Sequence, residues 1–320
     1  MDMRLFRKNI SSLASGLCCF CWTCCCLTAE TASEEQPYCA EALRKTLDPF
    51  YKQHVVADGL VIAGSEKVSM YALREVAYLA RKVLANRPDV MKNLCEKRQM
   101  FVAVMAYNEM QTDLPDCRGM SLWWAYRARG LGSRPVSCGE ENVLCFQGDP
   151  WQGENIFIHE FAHGIHGVIA DIDKPFIARL TALSDEAKRS GRFCGYAIEG
   201  GPSEFWAEGV QAWFNCNGTI RPKSGGGQSS FEVLGPQGEH VCHIATREQV
   251  KAHLPEYAKL LDESFRQNEW VYVPVAKRLD EPHLRGYDPA KAPVFRWPPE
   301  VIEAYNREEA EKAKTQEQHK

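Results

Sequence analysis

A proline-free, strongly apolar stretch from Gly153 to about Ala170 constrains this chain most, because it carries His159, Glu160, His163 and His166 among its hydrophobic residues. Its apolar side chains fall on more than one face, so the spacing predicts a helix covered on most sides. Ionisable groups are costly to bury without partners, so such a helix needs a reason to keep them. His159 and His163 stand at i and i+4, one turn apart on one face, where both imidazoles can reach one metal ion. Zinc at a reactive site takes three protein ligands and keeps a fourth position for water. Glu160 would lie beside that water and could accept its proton. The plainer alternative is a pair of hydrogen-bonded core histidines with no metal.

A third ligand is needed. His166 lies about 10 Å along the axis from His159 by helical rise, too far to share its metal unless the helix breaks after His163. It is read as a packing or supporting residue. The metzincin pattern needs a glycine at position 166 and a histidine at position 169, where this chain has His166 and Ile169. Downstream, Ser203-Glu204-Phe205-Trp206-Ala207-Glu208 is expected on a helix with Ser203 as N-cap. Glu204 and Glu208 share a face there, so one can bind metal while the other orients a ligand histidine. The neighbouring Phe205, Trp206, Trp213 and Phe214 argue against two solvated glutamates.

His159-Glu160-Phe161-Ala162-His163, followed about forty residues later by Glu204-Phe205-Trp206-Ala207-Glu208, resembles the gluzincin metallopeptidases. Within them it is most similar to the anthrax lethal factor type of catalytic domain. The resemblance covers roughly residues 153–215. It implies one catalytic Zn2+ held by His159, His163 and Glu204, Glu208 as a neighbour supporting the ligands, and Glu160 as general base. It also implies a tyrosine just before the ligand glutamate to stabilise the oxyanion. Tyr196 lies near that place, offset by one residue. The family's aminopeptidase motif, Gly-x-Met-Glu-Asn, is absent, which favours endopeptidase action on a peptide or protein substrate. The fold implied is α+β and zincin-like: a small mixed sheet, an active-site helix and a mainly helical C-terminal lobe.

The N-terminus has a different character. Arg4, Arg7 and Lys8 precede an uncharged stretch from Ile10 to Ala29, and Glu30, Glu34 and Glu35 follow. A basic start, an apolar middle and small residues at the end predict a signal peptide over residues 1–29, and hence a secreted protein with no membrane contact after cleavage. The alternative is an uncleaved anchor through residues 10–29. Eight cysteines follow this segment (Cys39, Cys95, Cys117, Cys138, Cys145, Cys194, Cys216, Cys242), an even number that suggests disulfides in an exported chain. Asn217-Gly218-Thr219 is a glycosylation sequon. The net charge of −4 is spread without a basic stripe, which excludes nucleic acid as a partner.

No repeat or long linker divides the rest, so residues 30–300 are read as one catalytic domain and residues 301–320 as a charged exposed tail. Helices are expected over residues 40–53, 69–85, 88–97, 121–128, 153–170, 176–189, 203–214 and 246–265. Strands are expected at Leu60–Ala63, Phe101–Ala106, Val143–Phe146 and Trp270–Val275. Val143–Phe146, just before the histidine helix, is the expected sheet edge for an extended substrate, with Cys138 and Cys145 placed to brace it. Two other readings remain open: a protein whose metal only holds its lobes together, and a secreted binding module.

Overall fold

The computed structural model describes residues 40–218 and 230–318. It begins with α1 (Ala40–Thr46), which ends before Asp48-Pro49 rather than running to residue 53. β1 (Gln53–Ala57) and β2 (Leu60–Gly64) form an antiparallel hairpin through Asp58 and Gly59, both at positive φ. That Asp-Gly pair suits a two-residue turn whose twist matches the strands. α2 (Met70–Val83) and α3 (Pro88–Glu96) cross over to β3 (Phe101–Met105), which lies parallel to β2. α4 (Leu122–Arg127), β4 (Gly130–Gly132), β5 (Val136–Gly139) and the one-turn α5 (Glu140–Val143) follow. The sheet order is β1-β2-β3-β5-β4, with β5 parallel to β3 and β4 antiparallel to β5 at the edge.

The strands' period of two sorts the core. Leu60, Ile62, Val102, Val104, Val136 and Cys138 face the helical side and join the main core with α2, α3 and α6 (Ile156–Ile172). Val61, Ala63, Phe101, Ala103 and Met105 face the other side and pack under Leu43, Leu114 and Cys117. α7 (Lys174–Ser190), β6 (Phe193–Cys194), α8 (Tyr196–Glu199) and α9 (Gly201–Trp213) follow. β7 (Glu232–Leu234) and β8 (His240–His243) complete a second, antiparallel sheet of order β6-β7-β8. α10 (Arg247–His253) and α11 (Pro255–Ser264) split the expected helix over residues 246–265 at Pro255. α12 (Pro299–Gln318) ends the described chain. The result is a mixed α+β fold with a small mixed sheet and many helices.

Several expectations change. Val143–Phe146 is not a strand: Glu140 starts a helical turn there by accepting the backbone N–H groups of Ser69 (2.7 Å) and Tyr107 (2.9 Å). The sheet edge near α6 is β4, outside every strand expected from the sequence. Trp270–Val275 is irregular: its backbone serves neighbours, Tyr272 N–H donating to Phe214 O (2.8 Å) and Trp270 O accepting from Arg247 (2.9 Å). Helix α9 opens at Gly201, ahead of Ser203, because Pro202 already holds helical φ in its first turn. The charged C-terminal segment is a helix docked on α4, with Val301 and Ala304 buried.

The described cysteines Cys95, Cys117, Cys138, Cys145, Cys194, Cys216 and Cys242 are all free thiols, and Cys39 lies outside the described residues. Cys138 is buried within β5, whereas the Cys145 sulfur meets the Tyr272 hydroxyl at 3.5 Å, so the two do not brace a strand. The sequon is not a free surface acceptor either: Asn217 is 2% exposed and its amide donates to Ile244 O at 3.0 Å. Among the described residues, no helix is long and apolar enough to cross a membrane. The segment read as a signal peptide lies outside them.

Candidate metal centre

α6 begins where a buried polar bracket meets its first turn. Asn155 caps it, its side-chain oxygen accepting from Ile158 N–H at 3.0 Å. Asn142 accepts from Ile156 N–H (2.8 Å) and donates to Asp149 (2.9 Å), Trp151 O (3.3 Å) and Glu154 O (3.2 Å). One side of α6 meets α9 and the other meets β4 and β5. Trp206, fully buried, donates its indole N–H to Ala162 O at 2.8 Å, which sets the register of α9 on α6 beside His163.

That register brings the two motifs together. His159 Nε2 lies 3.2 Å and His163 Nε2 3.6 Å from Glu204 Oε2. Two ligands of a tetrahedral zinc, each at about 2.0–2.1 Å, stand roughly 3.3 Å apart. The two distances from Glu204 Oε2 to the imidazoles are of that order. His159, Glu160 and His163 also offer ligand atoms within 4.8 Å of one another, so the group can hold a metal ion. Each histidine has its other nitrogen occupied: His159 Nδ1 lies 2.9 Å from Gln211 Oε1 and His163 Nδ1 3.0 Å from Ser203 Oγ. A donor N–H at Nδ1 leaves the Nε2 lone pair for metal. Gln211 is itself oriented, donating to Asn155 O at 3.2 Å.

Gln211 was missed in the sequence, although it lies seven residues from Glu204 on the same helical face. Glu208 is fully buried on that face, and its charge is felt at His159, but the imidazole bonds to Gln211. Ser203, expected as a cap, contacts His163 instead. His166 packs between Phe176 (5.6 Å) and Trp206 (6.2 Å), away from the ligand set, and burial pushes its pKa down.

The electrostatics are strongly coupled. Burial opposes charge on His159, but the Glu204 hydrogen bond and the charges of Glu160 and Glu208 outweigh it and hold its pKa up at about 10. Burial likewise opposes charge on Glu204, yet the two histidines keep it well below the usual carboxylate range. Glu160 is pushed up by burial, against the pull of His159 and His163.

The site opens into a cleft of about 620 Å³ lined by His159, Glu160, His163, Glu204, Tyr196 and strand β4. Tyr196 is placed by its own backbone, its N–H donating to Ser230 Oγ at 3.0 Å. Burial and the Glu204 charge raise its pKa, so the phenol stays protonated and can donate. β4 comes this close because it carries glycines: a Cβ on Gly132 would lie 2.5 Å from His163 and one on Gly130 2.8 Å from Glu160. No protein-family model, curated protein or solved structure matches the chain.

Proposed function

We propose that this protein is a zinc-dependent endopeptidase of gluzincin type, with His159, His163 and Glu204 as metal ligands and Glu160 as general base. The observation that carries the reading is the convergence of His159 Nε2, His163 Nε2 and Glu204 Oε2 at 3.2 and 3.6 Å beside Glu160 in an open cleft. A bound zinc would supply Lewis acidity toward the scissile carbonyl and lower the pKa of the attacking water. Glu160 takes a proton from that water and delivers it to the leaving amine. The protonated Tyr196 phenol donates to the developing oxyanion. Strand β4 has one side paired with β5 and its other side at the sheet edge, so an extended peptide can add to it. Gln211 and Ser203 keep the two imidazoles turned toward the ligand position. A purely structural zinc would more often be closed by a cysteine or a fourth histidine, and Glu160 would have no task.

Export rests on the N-terminal pattern of residues 1–29, since the free thiols remove the support expected from cysteine counting. The test is cleavage of a peptide library read by mass spectrometry, with metal content measured on the same protein. Cleavage that vanishes in Glu160→Ala and with a chelator supports the reading. A protein that holds stoichiometric zinc, stays folded and cuts nothing rejects it in favour of a non-catalytic zinc protein.

A further inference from the structure

The cleft presents two cations, and only one is committed. Arg129 is 1% exposed and its donors are used: Nε and Nη2 reach the two Glu141 carboxylate oxygens at 2.6 and 3.0 Å, and Nη1 reaches Glu109 O at 2.6 Å. Arg127, the last residue of α4, is half-buried in the same cleft, its guanidinium carbon 5.3 Å from the Tyr196 ring centre. Among the described residues, no carboxylate lies within ion-pair distance of it. Of the cleft's carboxylates, Glu204 is paired with the two histidines. A partly desolvated guanidinium keeps a planar fork of donors suited to a carboxylate. Three indoles, Trp123, Trp124 and Trp151, share the cleft wall with that charge.

We propose that Arg127 is a specificity residue that binds a substrate carboxylate, so the preferred substrates are peptides bearing an acidic group close to the scissile bond. This rests on the peptidase reading of the site. Its position fits the role: Arg127 lines the same cleft as Glu160, His163 and Glu204, with its guanidinium over the Tyr196 ring. α4 is held rigid by its cap, Ser121 Oγ accepting from Trp123 N–H at 2.9 Å, so the fork is presented from a fixed base. The carboxylate can come from an interior Asp or Glu side chain or from a peptide C-terminus; the first fits an endopeptidase, the second an enzyme trimming C-terminal ends.

The test uses fluorescent peptides in matched pairs, Glu against Gln at interior positions and free acid against amide at the C-terminus. Binding to the zinc-loaded Glu160→Gln protein is read by anisotropy, and cleavage by the unsubstituted protein is read separately. One acidic arm should bind about tenfold tighter than its neutral isostere, the range of a hydrogen bond to a charged group. In Arg127→Gln that ratio should fall below about twofold, with Arg127→Lys in between and the melting temperature unchanged. The arm that shows the ratio identifies the source of the carboxylate. Equal binding of both partners, no binding of either, or a ratio that survives Arg127→Gln overturns the proposal. An Arg127-dependent binding ratio with no cleavage of any peptide would instead overturn the peptidase reading alone.

Discussion

The two walls of the cleft are built by different means. On the α6–α9 wall both histidines have a supporter, buried Gln211 behind His159 and half-buried Ser203 behind His163, and buried Trp206 ties the helix pair together. The facing wall, β4 and α4, offers two glycines, exposed aromatic surface and an arginine, and is backed by the highly charged α12. The first wall turns each imidazole from behind by a hydrogen bond, the way metal-ligating histidines are commonly oriented. The second leaves backbone edge and open donors, which suits an occupant that arrives and departs. On the proposed reading, metal and proton transfer belong to one wall and substrate choice to the other, and that division can be broken at several points.

The largest effect should come from the core of the first wall. Trp206 is fully buried, stacks on Phe265 (5.8 Å) and crosses Phe176 (5.1 Å). Trp206→Ala should destabilise the fold by about 3–5 kcal/mol in urea titrations and take metal binding with it. A loss under about 1 kcal/mol would mean that the two helices do not depend on this indole.

The bracket below α6 gives a pH signature. Burial, with the nearby Glu141 charge, pushes Asp149 up to about 7 despite bonds from Trp151 and Asn142. Its folded pKa thus exceeds the unfolded one near 3.9, so the folded state holds the extra proton between those values. Stability from this group is complete below about pH 4 and is lost as pH rises through about 7. The protein should lose on the order of 2–3 kcal/mol between pH 5 and pH 8 beyond what Asp149→Asn loses. Parallel pH curves for the two proteins would show that Asp149 ionises freely and that the bracket is wet.

Gln211 separates orientation from ligation. Gln211→Met keeps the volume and removes the partner of His159 Nδ1, so zinc affinity measured against a competing chelator should fall about 10–100-fold. Glu204→Gln removes a ligand outright and should cost more. If Gln211→Met binds zinc normally, Glu208 rather than Gln211 sets the imidazole.

How much of this was legible follows from locality. The histidine helix was readable because i, i+4 spacing and continuous apolarity are local signals, and so was the face shared by Glu204 and Glu208. Gln211 lies on that same face and could have been found by extending the spacing one further turn. β4 could not: three residues, Gly-Leu-Gly, carry no period, and their strand exists only because β5 offers a register. Val143–Phe146 misled because an apolar run does not distinguish strand from buried turn. What decides it is Glu140 satisfying backbone donors from two distant segments. The even cysteine count misled for a similar reason, since counting carries no distances. Arg127 drew no attention because its meaning depends on the carboxylates it does not meet.

The smallest expected effect is on the second wall, and it tests whether α12 belongs to the machinery. Tyr305 stacks on Trp123 (5.9 Å) and packs on Tyr126 (4.7 Å), Glu309 accepts from the Trp123 indole at 2.7 Å, and Lys312 sits 3.6 Å from the Trp123 ring centre. These contacts are partly exposed, so each contributes less than about 1 kcal/mol. Because Trp123 and Arg127 share one helical turn of α4, loosening the clamp should blur the substrate wall and leave the ligand wall intact. Tyr305→Ala should raise KM a few-fold with zinc affinity and kcat unchanged. A fall in zinc affinity would show the two walls to be mechanically coupled through β4. An unchanged KM would make α12 a surface helix with no part in the cleft, and the division of labour between the walls would then end at α4.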